Sequence, residues 1–186
     1  MQYKKLGYIA LMISAITLFL SSFAATADTA AEIDRDVDNA IQKLYAGSPT
    51  AKELSKVAKA ILVFPKIVKG GLIIGGQYGE GALRVDGETY GYYSTTAASY
   101  GLQAGVQSFG YAMFLMTDDA VEYMKNSDGW EVGVGPSVVV VDEGVASSLT
   151  TSTAKEGIYV FFFDQKGLMA GLGIQGSKIS RIEPDK

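Results

Sequence analysis

Lysines are the residues of this sequence whose spacing most clearly points to a chemical role. Between residues 52 and 69 the chain carries one acidic residue, Glu53, and five lysines: Lys52, Lys56, Lys59, Lys66 and Lys69. The formal net charge of the whole chain is −4, so this segment is locally basic. The first three lysines follow the i, i+4, i+7 spacing of one helix face, beside apolar positions that include Leu54 and Ile61.

A basic amphipathic helix of this kind is typical of segments that lie on an anionic membrane surface. The alternative is a solvated face on a helix that packs against a sheet, and spacing alone does not separate the two. Each lysine near an anionic leaflet contributes about 1 kcal/mol, so a net excess of four positive charges gives a dissociation constant of about 1 mM. Firm attachment would also need two or three inserted aliphatic side chains, at about 1.5–3 kcal/mol each.

The composition excludes several classes of catalytic and metal site. The chain has no His and no Cys, so it has no Ser-His-Asp triad, imidazole metal ligand, thiolate nucleophile, zinc finger or disulfide. Without His or Cys, acid–base catalysis would require a pair of carboxylates. The spacing of residues along the sequence does not show whether two carboxylates lie close together in the fold. We therefore predict no catalytic residue, no metal site, no cofactor and no enzyme activity. An acidic chain is also a poor nucleic-acid binder, so no nucleic-acid partner is predicted.

Three short segments imitate chemical motifs without the residues that those motifs require. Residues 171–176 spell G-x-G-x-x-G, but too few residues follow them to form the helix of a dinucleotide site. Residues 152–155 match the Ser-x-x-Lys of penicillin-recognising enzymes, but the companion motifs are missing. Residues 34–38 begin like a calcium loop, yet its sixth position is Asn39 and its twelfth is Tyr45. We interpret the three segments as a strand, a Ser/Thr-rich loop and an acidic stretch of helix.

The first 27 residues have the composition of a signal peptide. Lys4 and Lys5 form a basic start, residues 6–20 are uncharged and largely apolar, and residues 25–27 match the Ala-x-Ala pattern that precedes cleavage. The alternative is an uncleaved anchor, because residues 6–27 carry no charge and are just long enough to span a bilayer. The expected localisation is periplasmic or secreted, or peripheral to a membrane, with residues 28–186 forming a single domain.

Helical periodicity characterises residues 30–60. The stripe predicted to be buried consists of Ile33, Val37, Ile41 and Leu44. Residues 47–49, Gly-Ser-Pro, are expected to break this first helix. Thr50 is expected to cap a second helix, which would continue through the first three lysines.

A period of two replaces the helical period in residues 61–182, which are predicted to be rich in β-strands. Between residues 71 and 85 the odd positions carry no charge, whereas Glu80 and Arg84 lie on the other face. Asp86-Gly87 then forms a strong hairpin turn. Glycine at such density within strands indicates sharp curvature or closely packed backbones.

The second half of the chain continues this pattern with one interruption. A short helix is predicted over residues 118–125, and a buried strand over 158–163 followed by a turn at 164–167. The residues predicted to share one face before that strand are Trp130, Val132, Val134, Val138 and Val140. The predicted fold class is α+β and mainly β: a Gly-rich antiparallel, strongly bent or barrel-like sheet preceded by two N-terminal helices. An outer-membrane barrel is the rival, and the two-helix start and the lack of an aromatic girdle argue against it.

Several glycine-containing motifs occur in the order found in SYLF domains. They are residues 64–71 (FPKIVKGG), 75–81 (GGQYGEG), 101–105 (GLQAG), 135–136 (GP), 159–164 (YVFFFD) and 166–172 (KGLMAGL). The chain therefore resembles the SYLF-domain family over residues 50–182. The resemblance implies a lipid-binding module without catalysis, because eukaryotic relatives are described as phosphoinositide binders that act through a basic, amphipathic N-terminal segment. Some yeast relatives also bind actin.

The resemblance assigns the lipid-binding role to the helix with Lys52, Lys56 and Lys59 and to Lys66 and Lys69 in the adjoining motif. This chain departs from the family in three ways. It is predicted to be exported, so it should meet neither actin nor the usual phosphoinositides. It carries no SH3 or zinc-finger partner domain, and it lacks the acylated Cys of bacterial lipoprotein relatives. The default ligand is therefore an anionic glycerophospholipid of the envelope.

Two other functions stay open at this point. A small β-barrel with uncharged inner faces and residues such as Ile73, Phe161 and Phe163 would enclose an apolar ligand, for example a single acyl chain. A structural envelope protein that binds other proteins is the third possibility. The leading prediction is an exported, non-enzymatic module that docks on anionic phospholipid headgroups.

Overall fold

The computed structural model describes residues 28–71, 74–100, 105–126, 129–167, 174 and 176–185, so the predicted signal peptide at residues 1–27 lies outside the described part. The helices are α1 (Ala30–Gly47), α2 (Pro49–Leu54), α3 (Asp118–Asn126) and α4 (Glu143–Ser148). The strands are β1 (Ala60–Gly71), β2 (Ile74–Val85), β3 (Glu88–Tyr100), β4 (Gly105–Leu115), β5 (Trp130–Glu131), β6 (Val138–Val140), β7 (Ile158–Gly167) and β8 (Lys178–Ile182).

One curled, eight-stranded sheet organises the domain. Its strand order is β5-β8-β3-β2-β1-β4-β7-β6, and every neighbouring pair is antiparallel except β6 and β7. The sheet forms a half-barrel. Trp130 on one edge strand and Val138 on the other pack against the same apolar cluster, which defines the inner face. The predicted mainly β fold, with a bent and largely antiparallel sheet after two helices, is confirmed.

Side chains of the sheet itself fill the inner face. Among the largest that are fully buried there are Phe64, Tyr93, Phe109, Tyr111, Met113 and Trp130. The predicted helix over 118–125 is also confirmed, as α3, and it adds Ala120, Val121 and Met124 to the same cluster. Alternation along β2 follows the prediction, because Gln77 and Leu83 are buried on this face while Tyr78 is exposed on the other.

Helices α1 and α2 cover one half of the outer face. Thr29 caps α1 through a reciprocal capping box with Glu32. The predicted stripe packs as expected, since Ile33, Val37 and Leu44 are buried against outer-face residues of the sheet, and Ile41 is partly buried. This layer ends near the middle of β1, so the other half of the outer face carries no helix among the described residues.

A bulge in β1 explains why glycine is needed in the neighbouring strands. The register of β1 shifts around Pro65 against both β2 and β4. A Cβ atom on Gly81 would lie 2.0 Å from the Val63 carbonyl oxygen, and one on Gly110 would lie 2.7 Å from the Pro65 carbonyl oxygen. Glycine therefore permits a close backbone approach on both sides of the bulge, as the density of glycine in the strands predicted.

The boundary between the first two helices differs from the prediction. Ser48, not Thr50, is the cap: its hydroxyl accepts a hydrogen bond from the Ala51 N–H, and Pro49 occupies the first helical position. The same Ser48 donates its N–H to the Leu44 carbonyl, so one residue ends α1 and begins α2. The second helix then ends at Leu54, well before residue 60.

Two strand predictions in the second half of the chain are also wrong. Trp130 and Val132 are buried, but Val134 and Val140 are exposed, because β5 lasts only two residues and turns follow it. No turn replaces the strand at residues 164–167, since β7 continues to Gly167. Asp164 has a positive φ of 51° and lies where the register of β7 with β4 shifts, so it marks a bulge within the strand.

Candidate functional site

The five predicted lipid-binding lysines do not form one surface. Lys52 lies on α2, Lys56 and Lys59 lie in the connection to β1, and Lys66 and Lys69 lie towards the far end of β1. Along the extended chain, Lys59 is seven positions from Lys66 and ten from Lys69, so about 20–30 Å separate the two groups. The five lysines are therefore divided between one end of β1 and its middle and far end.

The predicted basic amphipathic helix does not exist in this fold. Because α2 ends at Leu54, Lys56 and Lys59 are not on a helix with Lys52. Leu54 is fully buried under α1, so it is unavailable for insertion into a membrane. Lys56 Nζ lies 2.7 Å from Glu53 Oε1, and Lys59 Nζ lies 3.5 Å from Asp118 Oδ1. Tertiary packing of the short helix therefore overrides the i, i+4, i+7 pattern.

Lys66 and Lys69 lie on opposite faces of β1. Lys66 is opposite Glu80, on the outer face. Lys69 is opposite Gln77 on β2 and Gln107 on β4, and both glutamines are buried on the inner face. Of the five predicted lysines, only Lys66 therefore projects from the part of the outer face that the helices leave uncovered.

That uncovered part exposes three apolar side chains. Val68, Tyr78 and Val106 have exposed fractions of 45%, 49% and 69%, and we call them the ledge. Val68 lies directly opposite Tyr78 on β2, and Gly70 lies opposite Val106 on β4. The ledge is thus a continuous patch across three adjacent strands. Its larger side chains are exposed because the neighbouring glycines have no side chains to cover them.

Two lysines flank the ledge on the side of the helix layer. Ser108 on β4 lies between Val68 on β1 and Lys166 on β7, so Lys166 is on the same cross-strand row as the ledge. Neither Lys66 nor Lys166 forms an ion pair with a carboxylate of the described residues. Sequence reasoning missed Lys166 and the ledge, although Lys166 stands in one of the quoted glycine motifs.

A small acidic group lies at the same edge of the ledge as Lys66, because Glu80 is the register partner of Lys66. The Tyr78 hydroxyl donates a short hydrogen bond to Glu80, and the Asp28 N–H donates to the second Glu80 oxygen at 3.2 Å. Burial, followed by the hydrogen bond and charge of Glu80, raises the pKa of Tyr78 to about 12. Burial and the nearby Glu80 raise the pKa of Asp28. Tyr78 is therefore held in place as a neutral phenol.

Residues 96–184 match the family described as "Ysc84: Las17-binding protein actin regulator". The chain therefore carries a Ysc84-family, or SYLF, domain. The matched stretch contains Val106 and Lys166 and runs from the end of β3 through β8. No curated protein shows significant similarity to the chain.

The inner face of this SYLF domain holds a buried polar group near Lys69. Tyr111 donates a hydrogen bond to Thr95, and Gln77 donates to Ser177. Complete burial raises the pKa of Tyr111, so its phenol stays neutral. The Gln107 side-chain oxygen accepts no hydrogen bond from the part of the chain that is described.

The residues predicted to line an enclosed apolar ligand are placed differently. Phe161 belongs to the cluster beneath α1 and α2 on the outer face, and Phe163 packs against that same cluster. Ile73 lies outside the described residues. Since Phe161 and Phe163 face the helix layer, they do not line the inside of the SYLF half-barrel.

The acidic stretch that resembles a calcium loop has a structural role. Asp34 accepts hydrogen bonds from Thr89 and Tyr92, and Asp38 accepts one from Arg84, so both carboxylates join α1 to the sheet. Across the described ranges no group of three acidic side chains is arranged to hold a metal ion. Nor does any helix described in this SYLF domain have the length and hydropathy needed to cross a membrane.

Proposed function

We propose that this SYLF domain is a non-enzymatic lipid-binding module that docks on an anionic membrane surface through the ledge, Lys66 and Lys166. The observation that carries the proposal is the row of exposed apolar residues next to two lysines without a carboxylate partner in the described structure. Contiguous apolar patches of a few hundred Å² on soluble domains often mark interaction sites. Lysines beside such a patch favour a membrane whose headgroups are negative.

The expected affinity is modest but adequate for a peripheral protein. Two lysines contribute about 2 kcal/mol near an anionic leaflet. Three apolar side chains that are about half exposed contribute about 1 kcal/mol each when the membrane covers them. The sum of about 5 kcal/mol corresponds to a dissociation constant of about 0.2 mM. Neither charge nor apolar contact suffices alone.

The predicted export of the chain decides which partner we propose. The family takes its description from Las17 binding and actin regulation. A chain directed out of the cytoplasm by residues 1–27 would meet envelope phospholipids and no actin. We therefore propose an anionic glycerophospholipid surface of the periplasm or cell exterior as the partner.

Flotation with lipid vesicles tests this proposal. Protein beginning at Asp28 is mixed with zwitterionic vesicles or with vesicles that contain phosphatidylglycerol, at low and high salt. We expect flotation with the anionic vesicles only, weakened by salt. Replacing Lys66 and Lys166 by Gln together should weaken binding about 30-fold, in line with about 1 kcal/mol for each lysine.

Matched controls come from the opposite end of β1. The Lys52→Gln, Lys56→Gln double variant removes the same charge and should bind like the wild type. Val57 is exposed to a similar degree as Val68, so Val57→Ser controls for Val68→Ser. Equal losses from both pairs of variants would mean that overall charge, not the ledge, governs binding. A wild type that floats with no vesicle would refute lipid docking.

A further inference from the structure

A groove between α1 and the sheet lies next to the ledge. It has a volume of about 350 Å³, and its lining includes Lys43 from α1, Lys66 from β1 and Lys166 from β7, with Asn39 and Ser108 beside them. Three lysines from three separate elements thus converge on one opening at the margin of the helix layer. The ledge begins immediately beyond it, because Val68 is the register partner of Ser108.

Two strand irregularities bring the lysines together. The bulge of β1 around Pro65 places Lys66 on the outer face, opposite Glu80. The bulge of β7 at Asp164 places Lys166 opposite Ser108 on that same face. Both bulges meet at Gly110, where a Cβ atom would lie 2.3 Å from the Phe163 ring and 2.7 Å from the Pro65 carbonyl oxygen. Bulges that redirect side chains in this way are common next to functional sites.

The charges of the groove are only partly balanced. Lys43 Nζ lies 2.9 Å from Asp164 Oδ2, and the other acid of the lining, Asp36, pairs with Arg35 at 2.9 Å. Lys66 and Lys166 have no such partner among the described residues. The groove therefore has two ammonium groups without an ion pair, of which Lys66 lies across from Glu80, and a third that an anion would share with, or take from, Asp164.

We propose that this groove binds the phosphomonoester headgroup of a membrane lipid. A phosphomonoester carries about −1.5 to −2 charges near neutral pH and three oxygens that accept hydrogen bonds, one for each ammonium group. A phosphodiester headgroup has a single negative charge and offers fewer free oxygens, so it matches the three lysines less well. This inference rests on the proposed function, because the ledge brings the membrane to the groove.

Lys43 and Asp164 belong to the groove and not to the ledge, so they separate this inference from general docking. The test compares flotation with vesicles of phosphatidic acid and of phosphatidylglycerol, at equal membrane charge. We expect the wild type to bind phosphatidic acid at least about fivefold more tightly. Lys43→Gln should remove this preference, because it should weaken the binding of phosphatidic acid more than that of phosphatidylglycerol. Asp164→Asn should strengthen the binding of phosphatidic acid, because it releases Lys43.

Lys59 and Asp118 provide the matched control, since they form a similar exposed pair at a distance from the groove. Lys59→Gln and Asp118→Asn should leave the preference intact, and circular dichroism checks that every variant is folded. Equal binding of the two anionic lipids by the wild type would overturn the groove assignment and leave the docking proposal standing. If Lys43→Gln weakens the binding of both lipids equally, the groove assignment is also overturned and the docking proposal still stands. Failure to bind either lipid would refute docking itself.

Calorimetric titration with inorganic phosphate distinguishes a lipid headgroup from soluble phosphate. Free phosphate gains no contribution from the ledge, so we expect it to bind much more weakly than vesicles of phosphatidic acid. Binding of inorganic phosphate as tightly as those vesicles, with the same sensitivity to Lys43→Gln, would overturn the assignment to a lipid.

Discussion

Arg84 on β2 and Asp38 on α1 lie 2.7 Å apart, Nη2 to Oδ1, and join the helix layer to the sheet. The same nitrogen lies 3.3 Å from Asp34 Oδ1 and donates to the Asp34 carbonyl oxygen at 3.2 Å. The Arg84 side chain is only 12% exposed. This cation therefore balances two carboxylates at the boundary between the two layers.

Replacing Arg84 by Met should destabilise the domain by about 2 kcal/mol. This is less than for a fully buried pair because Asp38 stays well hydrated, but Asp34 loses its compensating charge. Urea unfolding followed by circular dichroism measures the loss. Arg35→Met is the control, since Arg35 and Asp36 form an exposed pair whose loss should change stability much less. Similar effects of the two substitutions would show that Arg84 does not join the layers.

Gly110→Ala should destabilise the domain because the added methyl group has no space between the two bulges. Its Cβ would overlap the Phe163 ring and the Pro65 carbonyl oxygen, and overpacking of this kind costs about 1–3 kcal/mol. Thermal unfolding measures the change. Gly47→Ala, at a position with no atom within 4 Å of the added Cβ, should be neutral or slightly stabilising. A Gly110→Ala protein as stable as the wild type would contradict the close approach of the strands.

The capping box of α1 predicts a specific dependence on pH. Thr29→Ala removes the cap and should lower the free energy of unfolding by about 1 kcal/mol at neutral pH. The backbone and side-chain hydrogen bonds from Thr29 lower the pKa of Glu32 below its ordinary value of 4.5. The stability from the Glu32 carboxylate is therefore complete above the unfolded pKa and is lost as the pH falls through the lower folded pKa.

Unfolding in urea at neutral and acidic pH measures this effect. The penalty of Thr29→Ala should shrink in acid, once Glu32 is protonated in the folded protein. If the loss of stability is the same at both pH values, the threonine hydroxyl alone stabilises the start of α1 and the Glu32 carboxylate does not contribute.

Tyr78 should ionise near pH 12, against an ordinary value of 10.0. The difference in tyrosinate absorbance between the wild type and Tyr78→Phe isolates this group. Because the folded protein keeps a proton that the unfolded chain releases, this contribution to stability is present below pH 10 and is lost as the pH rises through about 12. Glu80→Gln should move the midpoint down, since it removes a charge that opposes tyrosinate. If the titration midpoint of Tyr78 does not change in Glu80→Gln, burial alone raises the pKa of Tyr78.

Much of the fold could be predicted from periodicity and turn chemistry. The apolar stripe of α1 follows from spacings of three and four, and Asp86 and Gly87 adopt the positive φ angles that their hairpin requires. The site was predicted less well. Lys66 was identified from local charge, but the contributions of Lys43 and Lys166 depend on a groove formed by residues more than 100 positions apart. Local spacing carries no information about such contacts.

Residue types and local spacing were enough to predict the alternation of the strands, the start of the helix layer, the exclusion of His and Cys chemistry, and the resemblance to SYLF domains. These properties depend on residue types and on neighbours within a few positions. The positions of the lysines on the surface depend instead on how distant segments pack together. Helix α2 ends at Leu54, whose side chain is buried under α1, and two bulges around Gly110 turn Lys66 and Lys166 to one face. Strand register and layer packing arise from contacts between distant segments, so they separated lysines adjacent in sequence and joined others far apart.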